Sequence, residues 1–177
     1  MDKEIEQKIW SVEDKGETSF LRQKSKLFDF KEYSKKDVSD LVLYMRKMMI
    51  INHGVGLAAP QIGLNMRVFV AQLPSSDGRG YVGKFYAFFN PKIESYSKKT
   101  NLDTEGCLSV PGYFGTVERS DKITVTGFDK NNRKISVKAD GFLARIFQHE
   151  IDHLDGTLYI DKSKDVKKYP ADINDNA

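Results

Sequence analysis

Two histidines separated by three residues, with a glutamate directly after the first, make residues 148 to 156 (Gln-His-Glu-Ile-Asp-His-Leu-Asp-Gly) the stretch of this chain best equipped for chemistry. On an α-helix, positions four apart lie about 40° from one another around the axis, so His149 and His153 present two imidazoles to one point. One metal ion suits that geometry. Glu150, one step along, is near enough to handle the proton of a metal-bound water without ligating the ion, the arrangement expected for metal-assisted hydrolysis. The same pattern also occurs by chance, and a helical histidine is more often an ordinary polar residue, so context decides. Here Phe142, Leu143, Ile146, Phe147, Ile151 and Leu154 recur at helical spacing after Asp140, which reads as an N-cap. The histidines therefore belong to a helix packed into the core, where unpaired polar groups are costly and a metal supplies partners.

A catalytic tetrahedral site takes three protein ligands and keeps one position for water. The known peptidase patterns find the third ligand downstream, on a later helix or at the end of His-Glu-x-x-His-x-x-Gly-x-x-His. Gly156 fits the longer pattern, but its last position is Tyr159, and no His, Glu or Cys follows His153. The third ligand must come from upstream. The sole cysteine, Cys107, within Glu105-Gly106-Cys107-Leu108-Ser109-Val110-Pro111-Gly112, is the leading candidate.

Three separated segments carry a family resemblance: Gly54-Val55-Gly56-Leu57-Ala58-Ala59-Pro60-Gln61, then Glu105-Gly106-Cys107-Leu108-Ser109, then Gln148-His149-Glu150-Ile151-Asp152-His153-Leu154. In type and order they resemble the signature motifs of peptide deformylase, and the similarity runs from about residue 20 to 161, with Leu21, Arg22 and Arg119 as weaker features. The resemblance implies a division of labour. Cys107, as thiolate, with His149 and His153 would hold one divalent metal ion, iron(II) in the cell, with zinc, nickel or cobalt as alternatives for such a donor set. Glu150 would take the proton from the metal-bound water as it attacks a formyl carbonyl, then return it to the departing amine. The Gln61 side-chain amide and the Leu108 backbone N–H would meet the oxyanion. The substrate would be an N-formylmethionyl nascent peptide, and formate one product. Val55 and Gly56 would contact its backbone, and Val55, Phe142, Ile146 and the stem of Arg145 would form an apolar pocket for the methionine, favouring formyl-Met over formyl-Ala.

Two departures from the family pattern stand out. Phe114 occupies a position where many members have an arginine beside the peptide chain, which implies weak discrimination beyond the methionine. The opening Lys15-Gly16-Glu17-Thr18-Ser19-Phe20-Leu21-Arg22 replaces the usual Gly-Asp-Pro-x-Leu-Arg. Neither touches a ligand, the base or an oxyanion donor. Asp152 is expected to pair with Arg119 behind the ligands. His53 could complete a structural metal site but reads better as a solvated helix end, Gly54 as a helix cap beside the substrate, and Trp10 as surface packing. A peptidase and a structural metal protein are the competing classes; the missing downstream ligand speaks against the first, Glu150 against the second.

The elements that must position these residues read as α+β: small antiparallel sheets around a central helix that carries His149 and His153. Residues 37 to 52 form an amphipathic helix with Val38, Leu41, Val42, Met45, Met48 and Met49 on one face and a Ser34/Asp37 capping-box start. Strand-like runs follow at 67–73, 84–90, 122–128 and 134–138, with a loop at 74–83. At 177 residues and 40% hydrophobic, the chain suits one catalytic domain, 1–177, with a flexible polar tail from about 163. Its formal net charge of +3 gives no strong nucleic-acid signature, although Lys162, Lys164, Lys167 and Lys168 form a basic stretch that is a candidate ribosome contact. A lone cysteine excludes an internal disulfide and fits the reducing cytoplasm. The acidic, polar start Met1-Asp2-Lys3-Glu4-Ile5-Glu6 resembles no signal or transit peptide, and no run reaches the roughly 18 apolar residues that span a membrane.

Overall fold

The structure is a computed structural model that describes residues 8–78 and 80–169. Helix α1 (Lys15–Leu21), which no sequence pattern announces, is capped by the Asp14 carboxylate accepting from the Gly16 and Glu17 N–H groups. The amphipathic segment is helix α2 (Lys35–Ile51). Its capping box is complete: Ser34 Oγ accepts the Asp37 N–H at 3.1 Å, and the Asp37 carboxylate accepts the Ser34 N–H at 3.0 Å. All six apolar residues expected on its inner face are buried, so its methionines fill the core.

Five strands, β1 (Gly56–Ala58), β2 (Val68–Pro74), β3 (Tyr81–Tyr96), β6 (Lys122–Phe128) and β7 (Lys134–Asp140), make an antiparallel sheet in the order β1-β2-β3-β6-β7. Strands β4 (Thr100–Cys107), β5 (Val110–Ser120) and β8 (Lys167–Lys168) make a second sheet in the order β4-β5-β8. The expected runs at 67–73, 122–128 and 134–138 match β2, β6 and β7 closely, whereas 84–90 is only the middle of a 16-residue β3. Sequence patterning misses β4 and β5 altogether. Many of their side chains face solvent, and Pro111, Gly112 and Gly115 interrupt β5, so neither shows the alternation that marks a half-buried strand.

Helix α3 (Gly141–Leu154) carries the histidines and lies against β1, β2, β6 and β7 of the larger sheet and β5 of the smaller. Asp140 holds the N-cap position but makes no side-chain cap bond. Ile146, Phe147, Ile151 and Leu154 are buried as expected; Phe142 differs, being 49% exposed. Phe147 is wholly enclosed, with Phe69, Tyr86 and Phe88 at ring distances of 5.4, 5.1 and 5.4 Å. A second apolar cluster joins α2 to β2 and the Phe28/Phe89 pair.

Residues 163–169, expected as the start of a free tail, instead run along β5. The Asp165 carboxylate accepts from the Thr116 N–H (2.7 Å) and hydroxyl (2.8 Å), β8 pairs with Tyr113 and Phe114, and the Tyr169 N–H donates to Gly112 O at 2.8 Å. The rest of the expected tail, 170–177, and the reading of Met1 to Glu6 lie outside the described residues. Among the described residues no helix is long and apolar enough to cross a membrane. Phe147→Ala is expected to destabilise the fold by about 3–5 kcal/mol, measured as a shift in the urea unfolding free energy, because the site has no room to collapse around the lost ring.

Candidate active site

Helical spacing alone turns His149 and His153 toward one point, and a β-hairpin brings the third group to them. Cys107 ends β4, where the register shifts before Val110, and its Sγ stands 3.1 Å from His153 Nε2. His153 Nε2 is 3.2 Å from His149 Nε2. The three donor atoms all lie within 4.8 Å of one another. A tetrahedral ion with metal–nitrogen bonds of about 2.0–2.1 Å separates two nitrogen ligands by about 3.3 Å, so the spacing fits a single ion. The chemistry of the donors agrees. Three lone-pair atoms crowd one point, and a single proton can satisfy only one pair of them.

Behind these donors lies a charged group whose importance the sequence motif did not reveal. The Glu105 carboxylate on β4, 6% exposed, accepts from Arg119 Nε and Nη2 (both 2.8 Å), from Arg145 Nη1 (2.7 Å) and from His149 Nδ1 (2.9 Å). The last bond fixes the His149 tautomer, leaving Nε2 for the shared point. Burial pushes the Glu105 carboxyl up, but the bonds from Arg119 and His149 outweigh it and hold the group well below its usual range. Burial likewise opposes charge on His149, yet Cys107 and Glu105 raise it well above an ordinary histidine, while burial and the His149 charge together push His153 well down. Arg119 also donates to Asp152, the pairing expected from sequence, and Lys162 Nζ reaches the same carboxylate at 2.7 Å. The missed signal was an acid two residues before the cysteine, with two later arginines needing a buried partner.

Glu150 has no such company. Burial raises its carboxyl to about 7, with the His149 charge pulling the other way, and its Oε2 is buried with no hydrogen-bond partner. Gly56 makes this position possible. A Cβ there would stand 2.3 Å from Glu150 Oε1 and 2.7 Å from its Cδ, so β1 can approach the carboxylate only without a side chain. Gln61, 2% exposed, sits in a single 3-10 turn (Ala59–Ile62). Its Oε1 accepts the Ala58 N–H at 2.9 Å, and its Nε2 reaches Ser109 Oγ at 3.2 Å and Cys107 Sγ at 3.5 Å.

A cavity of ≈ 510 Å³ opens over these groups. Val55, Gly56, Gln61, Cys107, Leu108, Phe142, Arg145, Ile146, His149 and Glu150 all line it; His153, 1% exposed, lies beneath. Arg145 meets the cavity only with its side, because its guanidinium is committed to Glu105, Val117 O and Asn101. Phe142 owes its exposure to facing this space. Phe114 borders it too and packs on Tyr169 with ring centroids 5.1 Å apart. His53 is an exposed rim residue with φ 56°, so the left-handed position after α2 falls there, while the Gly54 N–H closes onto Met49 O at 2.9 Å. Trp10, expected as surface packing, is half-buried against Gly63 and Phe20.

The family model described as polypeptide deformylase matches residues 7–169. The chain belongs to the polypeptide deformylase family. A peptide deformylase of Halothermothrix orenii is 44% identical over 142 residues, covering 80% of this chain and 86% of that protein. Among solved structures, a class I type b peptide deformylase of Acinetobacter baumannii with Met-Ala-Ser bound superposes with a TM-score of 0.79 at 29% identity, covering 87% of this chain and 96% of that one. A Synechococcus elongatus peptide deformylase in complex with actinonin gives 0.78 at 33%, covering 93% and 84%. The chain is accordingly a hydrolase that removes the N-terminal formyl group from nascent peptides, in a family that implies a divalent metal.

Gly56→Ala is expected to displace the Glu150 carboxylate and cut formate release by about 10²-fold, the scale of a catalytic group misplaced by about 1 Å. Elemental analysis should show an unchanged metal content, since no donor atom is touched; wild-type turnover would show that Glu150 has another place to lie.

Proposed function

We propose that Cys107, His149 and His153 hold one divalent ion beneath the cavity and that Glu150 is the general base and acid in hydrolysis of formyl-methionyl peptides. One observation carries this reading: three lone-pair donors converge within 4.8 Å beside a buried carboxylate with one oxygen unpaired. The ion, when bound, supplies a Lewis acid that polarises the formyl oxygen and makes water a nucleophile near neutral pH. Glu150 removes the proton of the attacking water, aided by the basicity that burial confers, and delivers it to the amine nitrogen as the C–N bond breaks. Gln61 Nε2 and the Leu108 N–H face the oxygen on which charge develops. Support for Gln61 comes from its anchored Oε1, which turns the amide NH₂ toward Cys107 Sγ at 3.5 Å.

Val55, Gly56, Phe142, Ile146 and the side of Arg145 are proposed to receive the methionine end of the substrate, in keeping with their shared cavity and with the Met-Ala-Ser bound to the Acinetobacter relative. Phe114 and Tyr169 are proposed to face the peptide beyond it, offering an apolar surface rather than a cation. Iron(II) is proposed as the resident ion; sulfur with two imidazoles also accepts zinc, nickel or cobalt. The whole chain is taken as one catalytic unit working in the cytoplasm, where a thiol ligand stays reduced. Of the lysines proposed to meet the ribosome, Lys162 is already paired with Asp152, which leaves Lys164, Lys167 and Lys168.

Formate release from formyl-Met-Ala-Ser by anaerobically purified protein tests the assignment. Glu150→Gln is expected to keep its metal and lose about 10²–10⁴-fold in kcat. Cys107→Ala should lose most of its metal, because two histidines remain from a three-ligand set. Turnover within a few-fold of wild type in Glu150→Gln would remove the carboxylate from the reaction, and full metal occupancy in Cys107→Ala would show another ligand.

A further inference from the structure

The N-terminal segment carries an arrangement that the chemistry above leaves unused. Trp10 and Val12 donate their backbone N–H groups to Gln61 O at 2.8 Å and to Ser109 O at 2.9 Å. Those carbonyls belong to the two loops bearing the proposed oxyanion donors, Gln61 and Leu108. The loops meet at the front through the Gln61 amide and Ser109 Oγ, and at the back through this one stretch of chain. A third link is steric. The Trp10 indole lies so close to Gly63 that a Cβ there would stand 2.5 Å from its Cζ2, and Gly63, with φ 74°, ends the turn that carries Gln61. The indole also packs on Phe20 of α1, with ring centroids 4.7 Å apart. Around it the stretch is tied down: Glu17 accepts the Ser11 N–H at 2.7 Å, and the Thr18 hydroxyl donates to Val12 O at 3.0 Å.

We propose that Trp10 is a positioning residue for the reaction, clamping the Ala59–Ile62 turn against α1 so that the Gln61 amide is aimed at the developing oxyanion. A single four-residue turn, closed at its start by the Ala58 N–H on Gln61 Oε1, has few other bonds of its own to fix its tilt. Its outer side is held by the indole and by the Trp10 N–H. A preorganised donor is effective only where charge will appear, and a displacement of about 1 Å costs on the order of 10²-fold. Trp10 lies outside the cavity lining, so its influence passes through Gln61. The inference rests on the oxyanion role proposed for Gln61 and is independent of which ion is bound.

A double-mutant cycle on formyl-Met-Ala-Ser hydrolysis tests it, with Trp10→Ala, Gln61→Ala and the double variant all carrying measured metal. Trp10→Ala is expected to lower kcat about tenfold with KM changed less than about twofold, the signature of an interaction made only in the transition state. Trp10→Phe should restore most of the loss. Gln61→Ala should cost about 10²-fold in kcat. In the double variant the Trp10 change should add less than about twofold, because its target is gone. Multiplying losses in the double variant would overturn the proposal, as would a fall in metal content that accounts for the Trp10→Ala effect. A wild-type kcat in Gln61→Ala would remove the oxyanion role and the Trp10 role together, while Glu150→Gln separately decides the base. Should Trp10→Ala fail to fold, Trp10→Leu completes the same cycle and is read in the same way.

Discussion

A carboxylate buried as deeply as Glu105 must be surrounded by donors and positive charge, or the fold that buries it loses several kcal/mol. This chain meets the requirement with two elements at once: Arg119 from β5, and both Arg145 and His149 from α3. The smaller sheet and the central helix are therefore locked in one register by a single charge. That register also places Cys107, two residues further along β4, against His153. The same carboxylate sets the His149 tautomer, so one group governs the position of two donors and the chemistry of one. Removing it would leave two guanidinium groups and an imidazole without their shared partner.

Glu150 and Glu105 show how adjacent environments divide two acids. Glu105 sits among cations and stays ionised far below the usual range, whereas Glu150 is buried against Gly56 with an unpaired oxygen and is pushed up to about 7. A group suited to exchanging protons near neutral pH follows from the second environment, and a fixed anion from the first. The glycine does as much for this division as either acid. A side chain in its place would stand 2.3 Å from Glu150 Oε1 and push the carboxylate out of that position.

Long-range links from peripheral segments complete the site. Residues 10 to 12 bond to the loops of Gln61 and Ser109, and Lys167 and Lys168 extend the smaller sheet beside Phe114 at the cavity edge. Both segments look unpromising in the sequence, the first because it is weakly patterned and the second because it is polar and lysine-rich. Their roles arise from backbone hydrogen bonds and from single side chains, Trp10 and Asp165, that find distant partners, and neither leaves a mark on side-chain periodicity.

Much of the site was legible in the order of residues alone. Helical periodicity put His149, Glu150 and His153 on one buried helix, the capping box at Ser34 and Asp37 located α2, and the three motifs named Cys107 and Gln61. Such features depend on local spacing or on residue types with few chemical uses, and local geometry is written in sequence neighbours. Strands β4 and β5, the hub at Glu105, the inward commitment of Arg145 and the place of Trp10 were decided only by tertiary structure. Each depends on partners distant in the chain, in the manner of Glu105 with Arg119 and Arg145, and a lone sequence does not say which charge finds which. The identity of the proposed catalytic groups was local information; their alignment required the sheets to close around the helix.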